Sequence, residues 1–172
     1  MNDAVVRSVR HDIWATLELL AFCSRLAPEQ LAWSAPGTYG SVHATLQHVV
    51  RAQRGYLQRL TGDPPREVWM SPGGRDVPAP HERLLPLAEL TAKVRTIGDA
   101  MERLLASELD VRQVLTTQDD RPTAGVVLAQ FIHHGSDHRA HIGTVLGAHG
   151  VTPPDLDVWA YGRATGEHQD GP

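Results

Sequence analysis

Residues 123–149 read TAGVVLAQFIHHGSDHRAHIGTVLGAH, and the fold of the chain turns on whether they form one helix. Wound at about 100° per residue, Val127, Phe131, His134, His138, Ile142 and Val145 share one face, within an arc of roughly 80°. That is the apolar stripe of a helix, and it contains two imidazoles. The same stretch carries His133, His141 and His149, so it holds five of the chain's ten histidines.

An imidazole inside an apolar stripe needs partners for its ring nitrogens, because a buried polar group left unpaired costs free energy. The i,i+4 spacing sets the His134 and His138 rings one turn apart. Two arrangements satisfy them: a shared metal ion, or a pair of core histidines bonded to neighbouring side chains. A third ligand from elsewhere in the chain would decide for the metal, and the stretch alone does not supply one.

Working outward, Leu87, Leu90, Val94, Ile97, Met101 and Leu104 alternate spacings of three and four, the seam of a helix packed in a bundle. Asp119-Asp120-Arg121-Pro122 then leads to the histidine helix, which Gly150 and Pro153-Pro154 bring to an end. Further upstream, Val42, Thr45, Val49, Ala52, Tyr56 and Leu60 keep helical spacing from an N-cap near Ser41 to a stop at Gly62-Asp63-Pro64-Pro65. From about Asn2 to Leu26, Val6, Val9, Ile13, Leu17 and Leu20 predict a first helix, closed by Pro28. The turn-rich Trp33 to Gly40 is a loop between these two.

Residues 63–85 hold five prolines and the Gly73-Gly74 pair, which predicts a long irregular connection anchored by Trp69 and Met70. Its Ser71-Pro72-Gly73-Gly74 lacks the Lys-Ser/Thr of a phosphate loop. After the histidine helix, Leu156, Val158, Trp159 and Tyr161 predict a final turn or an extended strap. The fold class is therefore all-α: a four-helix bundle with long irregular connections and a short C-terminal strap. Residues 1–162 are expected to form one domain and 163–172 a flexible tail.

With 41% hydrophobic and 21% charged residues over 172 positions, the chain suffices for one sizeable core. A net charge of −4 with scattered arginines gives no basic stripe, which argues against nucleic acid as a partner. Cys23 is the one cysteine, so neither an internal disulfide nor a cysteine zinc cage is available, and its place in an apolar helical pattern assigns it to packing. No run of about 18 apolar residues and no secretory leader are present, so the expectation is a soluble cytoplasmic protein without a membrane partner.

His48 lies at the shoulder of the second helix's stripe, about 40° from Ala52. From that edge a side chain can point across a groove. His43 falls on the opposite side and is expected to be solvated, and His11 and His149 to be terminal or exposed.

Two blocks now carry a resemblance. Gly40-Ser41-Val42-His43-Ala44-Thr45-Leu46-Gln47-His48-Val49 is similar to the helix-two opening of the DinB/YfiT-like family of bacterial metal-binding four-helix proteins, which are unrelated to the DNA polymerase of that name. Phe131-Ile132-His133-His134-Gly135-Ser136-Asp137-His138-Arg139-Ala140-His141-Ile142 resembles the family's pattern of His, three residues, then His-Arg-Gly-Gln. Ala140 stands where glycine is usual, His141 where glutamine is usual and His133 where asparagine is common. The resemblance spans roughly residues 5–161 and implies metal-ligand roles for His48, His134 and His138.

What it implies further is a divalent transition metal, zinc or nickel first, with one coordination position open, the arrangement of catalytic zinc. His141 would be a fourth ligand, a neighbour of the ligands or a pocket residue, the last two being favoured by the resemblance. Arg139 points about 100° away from His138, which suits a helix–helix ion pair better than substrate contact. Some relatives transfer mycothiol or bacillithiol and one is an isomerase, so the expected function is transfer of a low-molecular-weight thiol to a small electrophile, or a thiol-dependent isomerisation. A metal-dependent hydrolase is the alternative, with Asp137 as its local base, and a non-catalytic metal-binding stress protein is the third reading. Gly135 follows His134 where a zinc protease has glutamate, which disfavours proteolysis. A homodimer is expected from the resemblance and from Trp14, Leu19 and Phe22, which widen the first helix's apolar face.

Overall fold

The computed structural model describes residues 3–62, 83–107, 109–116 and 121–169. They form six helices: α1 (Asp3–Cys23), α2 (Pro28–Leu31), α3 (Val42–Thr61), α4 (Leu87–Ala106), α5 (Ala124–Ala148) and α6 (Val158–Thr165). The four long ones make a square bundle in which α1 and α3 each pack against both α4 and α5. Among the described residues there is no strand, only an antiparallel bridge between Val114 and Thr123. The expected anchors Trp69 and Met70 and the Ser71–Gly74 turn lie outside the described residues.

Local chemistry sets the helix ends. Ser41 has extended backbone and its hydroxyl accepts from the Ala44 amide at 3.2 Å, a cap that stabilises a helix start by about 1 kcal/mol. At the other end of α3, Gly62 takes φ +71, a left-handed conformation that costs other residues more. Thr123 caps α5 through the Val126 amide, and Asp157 caps α6 through the Ala160 amide at 2.7 Å. The core is apolar and spans all four long helices, with Leu19, Leu20, Leu46, Leu90, Met101, Phe131 and Ile142 among its buried members.

Two expectations are revised and one is extended. Pro28 does end the first apolar pattern, but it also opens α2, since the fixed φ and missing N–H of proline suit a first helical turn. The expected C-terminal strap is irregular over 151–156 and continues into α6, and Glu167 accepts from Arg7 Nε at 2.6 Å. His43, expected to be solvated, and His11, expected to be terminal or exposed, are half-buried, their Nε2 atoms lying 2.8 Å from the Leu85 and Leu156 carbonyls. Leu19 is buried within this chain, Trp14 packs against Tyr161 at 5.5 Å and Phe22 lies on the core, so α1's wide apolar face is used internally.

A small polar network is buried among these apolar residues. Arg139 Nη1 of α5 donates to Asp12 Oδ1 of α1 at 2.6 Å and to Thr16 Oγ1 at 3.1 Å. Gln53 Nε2 of α3 donates to Asp12 Oδ2 at 2.8 Å and to Thr16 Oγ1 at 3.2 Å. Burial pushes the Asp12 carboxyl above its ordinary value, against the charge and hydrogen bond of Arg139 and the bond from Gln53. Gly135 makes room for this network: a Cβ there would collide with the Asp12 carboxylate and stand 2.8 Å from Arg139 Nη1. The arginine after His138 therefore pairs α5 with α1, and Gln53 of α3 joins the same carboxylate.

Candidate metal centre

His48 of α3 faces His134 and His138 of α5 across the seam between these helices. One ring nitrogen from each lies within 4.8 Å of the others, and the three side chains are half-buried. His48 Nε2 and His134 Nε2 are 2.9 Å apart. The ring centroids of His134 and His138 are 4.4 Å apart, as one helical turn dictates. Helical spacing on α5 and an edge position on α3 suffice to produce this cluster.

The donor set fits a transition metal. Ligands at 2.0–2.1 Å around a tetrahedral ion stand about 3.3 Å from one another, and the three ring nitrogens, all within 4.8 Å of one another, lie near that spacing. A ligand imidazole must also be neutral. Burial, then the neighbouring His134 and His138, then Arg51, push the His48 imidazole down to about 3. The lone pair is therefore available at neutral pH.

That shift has a measurable consequence. The unfolded chain's imidazole titrates near 6.5, so between about 6.5 and about 3 the unfolded state binds the extra proton. The contribution of neutral His48 to stability is complete above 6.5 and is lost as pH falls through that window. After chelator treatment, the melting temperature of the wild type is expected to fall more steeply on acidification than that of His48→Gln. Parallel profiles for the two proteins would remove burial of a neutral His48 as the cause.

Aromatic rings wall the cluster. Tyr39, on the loop before α3, stacks on His48 at 4.1 Å and 24° and stands edge-on to His138 at 4.9 Å and 85°. Tyr56 meets His134 edge-on at 5.6 Å, and its hydroxyl accepts from Gln130 Nε2 at 3.4 Å. Neither tyrosine is marked by sequence reasoning, which treats Tyr56 as core and Tyr39 as part of a turn-rich loop; only their proximity to His48 in sequence hints at them.

The remaining candidates separate. His141 lies beside the cluster, 5.3 Å from His138 and perpendicular to it, with Nδ1 buried and without a hydrogen-bond partner among the described residues. Asp137 and His133 are exposed on α5. Arg139 faces the Asp12 network. His149 is exposed and stacks on Trp33 at 4.3 Å. A groove of about 700 Å³ between α3 and α4 is lined by none of the three histidines, so volume and chemistry part company here.

The sequence model of the DinB family matches residues 1–171. The chain belongs to the DinB family. Among solved structures, a DinB-like protein from Bacillus cereus is similar at a TM-score of 0.61 and 19% identity, with 89% of this chain and 95% of that one covered. At that identity the likeness speaks for the fold. No curated protein matches. In this DinB-family chain the fold brings together the two histidine blocks around His48 and His134–His138, and the three histidines are able to hold a metal ion. Among the described residues, no helix is long and apolar enough to cross a membrane.

Proposed function

We propose that this DinB-family protein is a metal-dependent transferase joining a low-molecular-weight thiol to a small electrophile, or a thiol-dependent isomerase of the same chemistry. The observation that carries the reading is the convergence of His48, His134 and His138 ring nitrogens within 4.8 Å, from two helices. Three imidazoles leave room in the coordination sphere, and we assign them one divalent ion, zinc or nickel. His48, His134 and His138 would hold that ion, and the chemistry it would supply there is Lewis acidity, which lowers the pKa of a thiol. Tyr39 packs on His48, Tyr56 on His134 and His141 on His138, so these three rings flank the site. The sulfur forms the new bond to the electrophilic carbon, the leaving group departs with its electron pair, and the thiol proton passes to solvent.

Cys23 is not the sulfur. It is fully buried, and burial pushes its thiol up to about 12, far from the range of a reactive thiolate. The hydrolase alternative relies on Asp137, whose exposed position on α5 lends it no support. Activity is expected to require both metal and thiol, to vanish in His138→Ala and to persist in Cys23→Ala. Bacillithiol, mycothiol, glutathione and cysteine would each be offered with a chlorinated dinitrobenzene or bimane as acceptor. Ester or amide hydrolysis by the metal-loaded protein without thiol, and no thiol-dependent turnover, would hand the function to the hydrolase; metal retention with no turnover of either kind would leave a binding protein.

With one cysteine the chain lacks the disulfide framework that marks small secreted domains, and we place the protein in the cytoplasm. The homodimer rests on the family resemblance, since α1's extra apolar residues pack within the chain. A mass of one chain by light scattering at tens of micromolar would reject it.

A further inference from the structure

We infer that Tyr39 is a positioning residue of the metal centre, its ring holding the His48 imidazole in the plane that directs Nε2 toward His134. This rests on the metal reading above. A histidine ring turns freely about its last side-chain torsion, whose preferences are broad, so something else must set the plane of a ligand imidazole. The usual device is a carboxylate or backbone carbonyl bonded to the other ring nitrogen. Among the described residues none is so bonded to His48 Nδ1; its one hydrogen-bond contact is Nε2 with His134 Nε2. What fills that role is the Tyr39 ring, nearly parallel to the imidazole at 4.1 Å.

His134 and His138 are neighbours on one helix, whereas His48 is the single ring that α3 contributes. Tyr39 also touches His138 edge-on, so one side chain sits against a ring from each helix and sets their separation as well as a ring plane.

The loop that carries Tyr39 is braced at several points. The Val42 amide donates to the Trp33 carbonyl at 3.0 Å, and the Thr38 amide and hydroxyl donate to the Ala35 carbonyl at 3.2 and 2.7 Å. Gly37 supplies the left-handed turn at φ +81. Trp33 stacks flat on His149 at the end of α5, and Ser41 caps α3, so the loop is tied to both helices that bear the histidines. A ring held on such a loop has a defined place from which to press on His48.

The test uses the full chain without a histidine tag, cobalt(II) as the probe, and two readouts: affinity against a competing chelator and the visible spectrum of the bound ion. Tyr39→Leu is expected to weaken cobalt binding by about 10- to 100-fold, the usual effect of removing an orienting partner, and to change the spectrum. Tyr39→Phe keeps the ring and is expected to keep the wild-type affinity and spectrum. Wild-type behaviour in Tyr39→Leu overturns the inference, as does a loss in Tyr39→Phe equal to that in Tyr39→Leu. If Tyr39→Leu does not fold by circular dichroism, the zinc-loaded wild type decides: nuclear Overhauser contacts between the Tyr39 and His48 ring protons are expected, and their absence overturns it. A wild type that binds no cobalt defeats the metal reading and this inference together, whereas binding unaffected by Tyr39→Leu defeats the inference alone.

Discussion

Replacing His134 by alanine is expected to strip the protein of its metal. His134 Nε2 stands 2.9 Å from His48 Nε2 and its ring 4.4 Å from that of His138, so the change removes the nitrogen that bridges the two helices. Two imidazoles from α3 and α5 would remain, too few for a site that competes with solvent and buffer. Elemental analysis of protein purified without a histidine tag should find about one ion per chain in the wild type and almost none in the variant, since zinc sites with an open position are held by three protein ligands. His43→Ala and His149→Ala should keep the ion, since those rings serve the Leu85 carbonyl and Trp33. Full occupancy in His134→Ala would sink the assignment. A ligand present at a thousand times its Kd stabilises the folded state by about 4 kcal/mol, so chelator should lower the wild-type melting temperature and leave that of the variant unmoved.

The second large effect lies in the buried polar network. Arg139→Ala leaves the Asp12 carboxylate buried without its charged partner, and the loss is expected to be about 3–5 kcal/mol in chemical denaturation. The double change Asp12→Leu with Arg139→Met removes both charges and should recover most of that loss. Gly135→Ala provides an independent check. In a plain helix alanine is better than glycine by about 1 kcal/mol. Here the new Cβ meets two hydrogen-bonded groups with nowhere to go, so the variant should be less stable than the wild type. A Gly135→Ala protein more stable than the wild type would show that the network yields, and an Arg139→Ala protein of wild-type stability would show that it contributes nothing.

Much of this was legible because helices advertise their buried face. The α5 stripe from Val127 to Val145 lies as the period demands, and Ser41 and Gly62 mark the ends of α3 by chemistry that acts within one turn. The edge position of His48 and the spacing of His134 and His138 pointed to the cluster, although the decision for three ligands needed the family resemblance. The polar network was not legible. Asp12 and Gln53 are buried among apolar neighbours for the sake of partners 127 and 41 residues away, and periodicity has no term for a polar group whose partner is distant. His43, expected to be solvated, and His11, expected to be terminal or exposed, escape the pattern for the same reason, since each spends a ring nitrogen on a carbonyl far along the chain. Tyr39 sits in a segment without periodicity, where only three-dimensional proximity reveals a role.

The 2.9 Å approach of His48 to His134 joins positions 86 residues apart in the chain. An ion shared by them is a cross-link that closes half the polypeptide into a loop, and long closed loops are the ones whose opening releases most chain entropy. Its influence therefore extends to kinetics. If the α3–α5 seam parts before the unfolding barrier is crossed, the ion must leave first, and the lifetime of the native state is set by metal release. If the seam parts after it, the lifetime is the same with and without metal. The ordering of those two events decides whether this bundle persists in a cell by equilibrium stability or by the slowness of its opening.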